Sequence, residues 1–268
     1  MYTKIQRCIM KKIASVLIFL SSICVLLPAL GSHEKAVITC AADLAGKRIG
    51  VQAGTTGELY VQEHIKDAQL ISFKTGMDAA LDLKNGAIDA VVLDELPAKE
   101  IVARNGDLTI VADKFARESY AIAVKKGNEQ LLSSINKTIQ SLKSDGTYEK
   151  LVASFMPVDG KITIPLVPLA PAQGKTLKLG TNSAFPPFEY VQGFDVVGFD
   201  ITMGQYIAKE CAASLEVIDM DFDSLIPALA SGSIDFIAAG MSVTEERKKN
   251  VDFSAPYYES EQVIIVKK

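Results

Sequence analysis

GTNSAFPPFEY, at Gly180–Tyr190, follows the strand-like run Leu177–Gly180 and places a hydroxyl, an amide and two aromatic rings around a Pro-Pro turn. Open α/β sheets carry their ligand groups at such strand-to-loop passages. A second passage of this kind, VQAGTTGELY at Val51–Tyr60, lies far upstream. Within it Thr55-x-x-Glu58 is a capping box, which opens a helix and turns free N–H groups and hydroxyls outward.

Around these passages strands and helices alternate. Arg48–Gln52, Gln69–Ser72, Ile88–Leu93 and Leu108–Ala112 read as strands, and Thr75-x-x-Asp78 opens a helix that Asn85-Gly86 can close. Leu131, Ile135, Ile139 and Leu142 fall on one helical face, and Asp145-Gly146 turns the chain into a short helix ending near Met156. Pro157–Gly174 then holds four prolines and no helical period, as a semi-extended linker does. The pattern restarts with a strand at Leu177–Gly180, a helix at Ile201–Ala212, a strand at Leu215–Ile218, a helix at Ser224–Ala230 and a strand at Ile234–Ala238. Leu83-x-x-Gly86-x-Ile88-Asp89 recurs as Leu229-x-x-Gly232-x-Ile234-Asp235, which suggests two similar α/β lobes.

The chain has 268 residues, 49% hydrophobic and 22% charged, long enough for two lobes of ordinary size. A net charge of −4 gives no general attraction to nucleic acid, so none is expected as a partner. Lys4, Arg7, Lys11 and Lys12 precede the apolar run Ile13–Leu30 and the small-residue pattern Ala29-x-Gly31, so residues 1–31 read as a secretory signal peptide, with Met10 an alternative start. A membrane anchor is the competing reading, against which stand Ser21, Ser22 and Pro28. Cys8 and Cys24 fall in that segment; Cys40 and Cys211 remain. Cys40 is either a lipid-attachment site that tethers the chain or a plain buried cysteine. His33 and His64 have no ligand-spaced neighbours, so no metal, and with no other signature no cofactor, is expected.

Several residues at strand ends are candidates for chemistry. Ala239-Gly240-Met241-Ser242 follows a buried strand, and Thr244 can cap a helix carrying Arg247, whose planar guanidinium suits a carboxylate. The bland alternative makes Arg247 part of the solvated run Glu245, Glu246, Lys248, Lys249. Asp94, ending the apolar strand Ala90–Leu93, could hold an ammonium or merely cap a helix. Phe185 and Phe222 could stack on a ligand or belong to the core. Gly54-Thr55-Thr56-Gly57 lacks the lysine of a phosphate loop; cap and hydroxyl donors for a carboxylate fit it better.

These motifs together resemble the exported solute-binding proteins for polar amino acids that serve ABC importers (family 3). Gly180-Thr181-Asn182, Phe185-Pro186-Pro187-Phe188-Glu189, Gly198-Phe199-Asp200, Met220-Asp221-Phe222, Ile226-Pro227-Ala228-Leu229, Glu246-Arg247-Lys248 and Asp252-Phe253-Ser254-x-Pro256-Tyr257-Tyr258 look like that family's first half. Gly46–Gly57, Asp89–Asp94 and Asp145-Gly146-Thr147-Tyr148 look like its second half. The resemblance implies a two-lobed α/β fold of the periplasmic-binding-protein type (type II), circularly permuted, with the cleft between lobes at about 41–121 and 122–268. Its two lobe crossovers would fall at Tyr120–Lys126 and Gln262–Lys268, the second held by strand pairing at the terminus, leaving one covalent crossover.

Carried over residue by residue, the resemblance implies that Arg247 holds the α-carboxylate of a polar L-amino acid with Thr56 and Ser242. Asp94 would take the α-ammonium with Ala239 or Gly240 backbone groups, Phe185 and Phe222 would sandwich the side chain, and Asn182 and Gln52 would reach its tip. Neutral Asn182 weakens the case for lysine and leaves glutamine or arginine. The implied partner is an inner-membrane ABC permease, and the implied location is periplasmic or cell-surface. An enzyme on the same scaffold, a dehydratase or lyase, needs a positioned general acid, for which Asp94 is the one convincing residue. A sensory module is a third reading. A monomer is expected, against which stands a dimer that exchanges lobes.

Overall fold

A computed structural model describes residues 37–157, 161–167 and 174–268. The signal-peptide reading of 1–31 and parts of the Pro-rich linker (158–160 and 168–173) lie outside the described residues. After a 3-10 turn at Ala41–Leu44, β1 (Arg48–Gln52) leads to α1 (Thr56–His64), β2 (Gln69–Phe73) to α2 (Gly76–Asn85) and β3 (Ala90–Asp94) to α3 (Glu95–Arg104). Then come β4 (Leu108–Ile110), β5 (Phe115–Tyr120), β6 (Ala123–Lys125), α4 (Glu129–Ser144) and α5 (Thr147–Phe155). The remainder holds β7 (Thr176–Thr181), β8 (Ala184–Phe185), β9 (Glu189–Gln192), β10 (Asp195–Val197), α6 (Phe199–Glu210), β11 (Ser214–Asp219), α7 (Leu225–Ser231), β12 (Phe236–Ile237), α8 (Glu245–Lys248), β13 (Val251–Phe253) and β14 (Tyr258–Lys267).

Local chemistry sets the helix starts. The Thr55, Thr75, Asn128 and Thr244 side chains each accept from the backbone N–H three residues on, capping α1, α2, α4 and α8. In α1 the capping box is displaced by one residue, because the Glu58 carboxylate accepts from Gly54 N (2.7 Å). Gly86 and Gly232, both left-handed, close α2 and α7.

Two sheets of the same order result. The first runs β2-β1-β3-β14-β4, with β5 paired to β14, and the second runs β11-β7-β12-β6-β13. In each, three strands are parallel and the fourth, β14 or β6, is antiparallel to both its neighbours. The chain therefore forms two α/β lobes. The repeated motif occupies the same place in both: Asp89 accepts from Arg48 N (3.0 Å) beside β1, and Asp235 from Lys178 N (2.8 Å) in β7. Gly50 in β1 and Gly180 in β7 let the Ile88 and Ile234 side chains lie where a Cβ would be, at 2.5 and 2.3 Å.

Each antiparallel strand arrives from the other lobe. The chain passes from the first sheet to the second between β5 and β6, and returns between β13 and β14. This corrects two expectations. There are two covalent crossovers, because the returning segment is Ser254–Tyr257 and not the terminus, and residues 258–267 belong to the first sheet, so the second lobe is not contiguous to Lys268. A continuous core joins the lobes through Tyr120, whose ring meets Phe188 at 5.2 Å and Tyr258 at 5.8 Å between centroids.

The terminal strand is central to its sheet. Val263, Ile264 and Ile265 are buried, and each contributes about 1.5–3 kcal/mol on burial, so their sum rivals the stability of a whole domain. Deleting Gln262–Lys268 also bares the facing edges of β3 and β4. The truncated chain is expected to lose the first lobe's protection in amide hydrogen exchange at 25 °C while residues of β7, β11 and β12 stay protected.

Candidate functional site

The loops after β1, β3, β7 and β12 meet at the cleft. Gln52 ends β1, Thr55 and Thr56 open α1 and Asp94 ends β3 on the first lobe. On the second, Asn182 follows β7, Phe185 lies in β8, Phe222 in a 3-10 turn after β11, and Ala239, Gly240 and Ser242 follow β12 ahead of Arg247 in α8. These residues, with Glu189, line one cavity of about 10 Å³. All ten residues singled out from the sequence are on its wall. That volume admits about one water molecule, so a larger molecule enters only if the lobes part.

Arg247 lies 7% exposed, while Glu245 pairs with Lys248 (2.8 Å) and Glu246 with Lys249 on the outer face of α8. The solvated-run alternative thus describes its neighbours and not Arg247. Its Nη1 donates to Ser242 O (2.6 Å) and its Nη2 crosses to the first lobe to donate to Gly54 O (2.9 Å). The Phe222 ring lies 5.4 Å from the guanidinium carbon. Among the described residues no carboxylate comes within ion-pair distance of it. Burial pushes its pKa down, and the Glu118 and Asp94 charges pull the other way.

Asp94 takes the N-cap position of α3 without a capping bond from its side chain. Its carboxylate, 4% exposed, accepts from Tyr120 OH (2.5 Å) and Ser260 Oγ (3.4 Å) instead. Burial, and then the Glu118 charge, raise its pKa to about 7, against the pull of Tyr120, Gln262 and Ser260. Arg247 and Asp94 therefore stand on opposite lobes around one cavity, each at a cost in solvation. Across the same cleft Gln52 Nε2 donates to Asn182 Oδ1 (2.9 Å). Gly240 N donates to Asp200 Oδ2 (2.8 Å), which leaves the carbonyls of the 239–240 turn as its groups for an ammonium. A Cβ at Gly240 would strike the Phe185 ring at 2.7 Å.

Sequence reasoning missed three acids, Glu189, Asp200 and Glu118, so Asp94 is not alone. Glu189 carries no signal of its own within the Phe185–Glu189 motif; it is fully buried in the cavity wall beside Asp200. Asp200 Oδ2 takes bonds from Gly240 N and Tyr257 OH (2.6 Å), which favour its ionised form, although burial still raises it to about 6. Neither Glu189 oxygen meets a donor among the described residues, and burial followed by the Asp200 charge pushes its carboxyl well up. Burial beside a second carboxyl thus favours the neutral, protonated form of Glu189. Glu118, in β5, bridges the lobes: its Oε2 accepts from Thr56 Oγ1 (2.7 Å) and Ser242 Oγ (2.5 Å), its Oε1 from Gln262 Nε2 (3.1 Å). Nothing in its local sequence marks it, because β5 was not legible as a strand. Cys40 is buried, and its thiol donates to Asp43 Oδ2 (3.6 Å). Among the described residues no three His, Cys, Asp or Glu side chains gather as a metal site.

Residues 177–268 match the model of the bacterial extracellular solute-binding proteins, family 3. This segment is similar to members of that family. It contains β7 to β14 and every second-lobe residue of the cavity wall. The arginine-binding extracellular protein ArtP of Bacillus subtilis is 47% identical over 94 residues, 35% of this chain and 37% of that protein. ABC transporter arginine-binding protein 1 of Escherichia coli is 36% identical over 121 residues, 43% and 50% of the two chains. A solved ancestral arginine-binding protein bound to arginine is 52% identical, covering 31% of this chain and 37% of that one with a TM-score of 0.31. The chain thus spans between a third and half of the length of these curated relatives.

Proposed function

We propose that the protein captures a polar L-amino acid between its lobes and delivers it to an ABC permease. One observation carries this reading: a buried guanidinium without an ion-pair partner among the described residues and a buried carboxylate, on different lobes, line the same cavity. A zwitterion that joins them relieves both desolvation costs at once, and because it touches both lobes it selects the closed form. The family's extracellular character agrees with export to the periplasm or cell surface, with Cys40 a tether if it is lipidated. The two sheets of equal order support reading residues 41–157 as the second half of the family pattern, set in permuted order.

Arginine is the favoured ligand. The relatives named for arginine point this way. Glu189 gives the enzyme alternative its one structural support, as a buried protonated acid in the cavity wall.

Calorimetric titration with arginine, glutamine and lysine, followed by chromatography of the recovered ligand, tests both readings: arginine is expected to bind tightest and return unchanged. Binding should also depend on pH. Asp94 holds its proton up to about pH 7, and an ammonium favours its ionised form, so proton release opposes binding below that point. Affinity is expected to rise about tenfold from pH 6 to pH 8, the free-energy equivalent of one pKa unit. Asp94→Asn should flatten that slope as well as weaken binding; a slope that survives assigns the proton to Asp200 or Glu189.

A further inference from the structure

We propose that Glu118 is a built-in stand-in for the ligand carboxylate, an affinity-setting residue that must give up its donors before the ligand is seated. The inference rests on the reading of Arg247, Thr56 and Ser242 as the receptor of an α-carboxylate. Both hydroxyls belong to the cavity wall with Arg247, and both already donate to one oxygen of Glu118, Thr56 from the first lobe and Ser242 from the second.

A hydroxyl has a single proton to donate. Glu118 and an incoming carboxylate therefore cannot both be served by Thr56 Oγ1 and Ser242 Oγ, and at that spacing two carboxylates also repel. Gln262 Nε2, which donates to Glu118 Oε1 from β14, holds the competing side chain from its far side. With its three donors on α1, on β14 and on the turn before α8, Glu118 satisfies these groups and ties the two lobes together with no ligand needed. The ligand exchanges one carboxylate for another and gains only the difference, most of which is the contact with Arg247.

Glu118 is half-buried on a strand beside the hinge, so its removal opens no cavity in the core. Titration of the full chain, wild-type and Glu118→Ala, with arginine and with agmatine, which is arginine without its carboxylate, separates the possibilities. Glu118→Ala is expected to bind arginine about tenfold tighter, the two hydroxyls being released and a like charge removed, and to bind agmatine no tighter than the wild type does. Arginine binding that is unchanged or weaker in Glu118→Ala overturns the proposal, as does an equal gain for agmatine. Should Glu118→Ala melt well below the wild type, Glu118→Gln removes only the like charge, its amide oxygen still accepting from the two hydroxyls, and must show a smaller gain for arginine alone. Arg247→Ala is the control for the underlying reading. If it binds arginine like the wild type, the carboxylate site itself is wrong; if it loses arginine while Glu118→Ala gains nothing, only the role of Glu118 falls.

Discussion

Arg247→Ala is expected to weaken amino-acid binding by about two to four orders of magnitude, about 3–5 kcal/mol, with little change in melting temperature. The two effects separate because of how the guanidinium is housed. Among the described residues its desolvation is offset by two carbonyl oxygens, the Phe222 face and the more distant Glu118 and Asp94 charges, yet burial still lowers its pKa, so its charged form is not favoured by the fold. Removing it costs those two hydrogen bonds and removes an unpaired buried charge, contributions of opposite sign that leave stability within about 1 kcal/mol. A ligand carboxylate, by contrast, loses its one fixed counter-charge inside a cleft with Asp94 and Glu118. Arg247→Lys keeps the charge without the planar fork and should fall between. Calorimetry and thermal melting on the same samples check both halves; near-normal affinity in Arg247→Ala removes this residue from the site.

Much of the fold was legible because its signals are local. Capping threonines, the left-handed Gly86 and Gly232, and the apolar run Ala90–Leu93 set α1, α2, α7 and β3 to within a few residues. The repeated Leu-x-x-Gly-x-Ile-Asp motif was legible too, and the structure gives its reason: the isoleucine fills the space over a strand glycine, and the aspartate pins the start of the neighbouring strand. What failed was long-range. β5 and β6 pair with β14, β12 and β13, more than 100 residues away, so no local period announced these pairings; the crossover expected at Tyr120–Lys126 does lie between β5 and β6, but the returning one at Ser254–Tyr257 was missed. Glu118 was lost for the same reason. Glu189 was hidden differently, since a glutamate in a loop motif reads as solvated until its neighbours are seen to bury it.

Of the single substitutions, Gly198→Ala should have the largest effect on stability, because the obstacle is backbone. Gly198 precedes α6 with φ at +139°, and a Cβ there would lie 2.1 Å from Phe188 O and 2.9 Å from Glu189 Cα. The same carbonyl accepts from Asp200 N (2.9 Å), and Pro187 O accepts from Phe199 N (3.1 Å), so the end of α6 is stitched to the loop that carries the cavity wall. A methyl group has to separate the two. That breaks both bonds, moves Asp200 away from Glu189 and Gly240 N, and leaves buried acids without their arrangement. Backbone strain of 1–3 kcal/mol adds to the lost bonds, for a total of about 3–5 kcal/mol and a fall in melting temperature on the order of 10 °C. Gly232→Ala is the matched comparison, with φ at +81° and open space around the added Cβ, so it carries the strain alone and should cost only about 1 kcal/mol. If the two substitutions prove equally mild in urea titrations, α6 does not press on the 186–189 loop, and the packing that sets Asp200 against Glu189 is wrong.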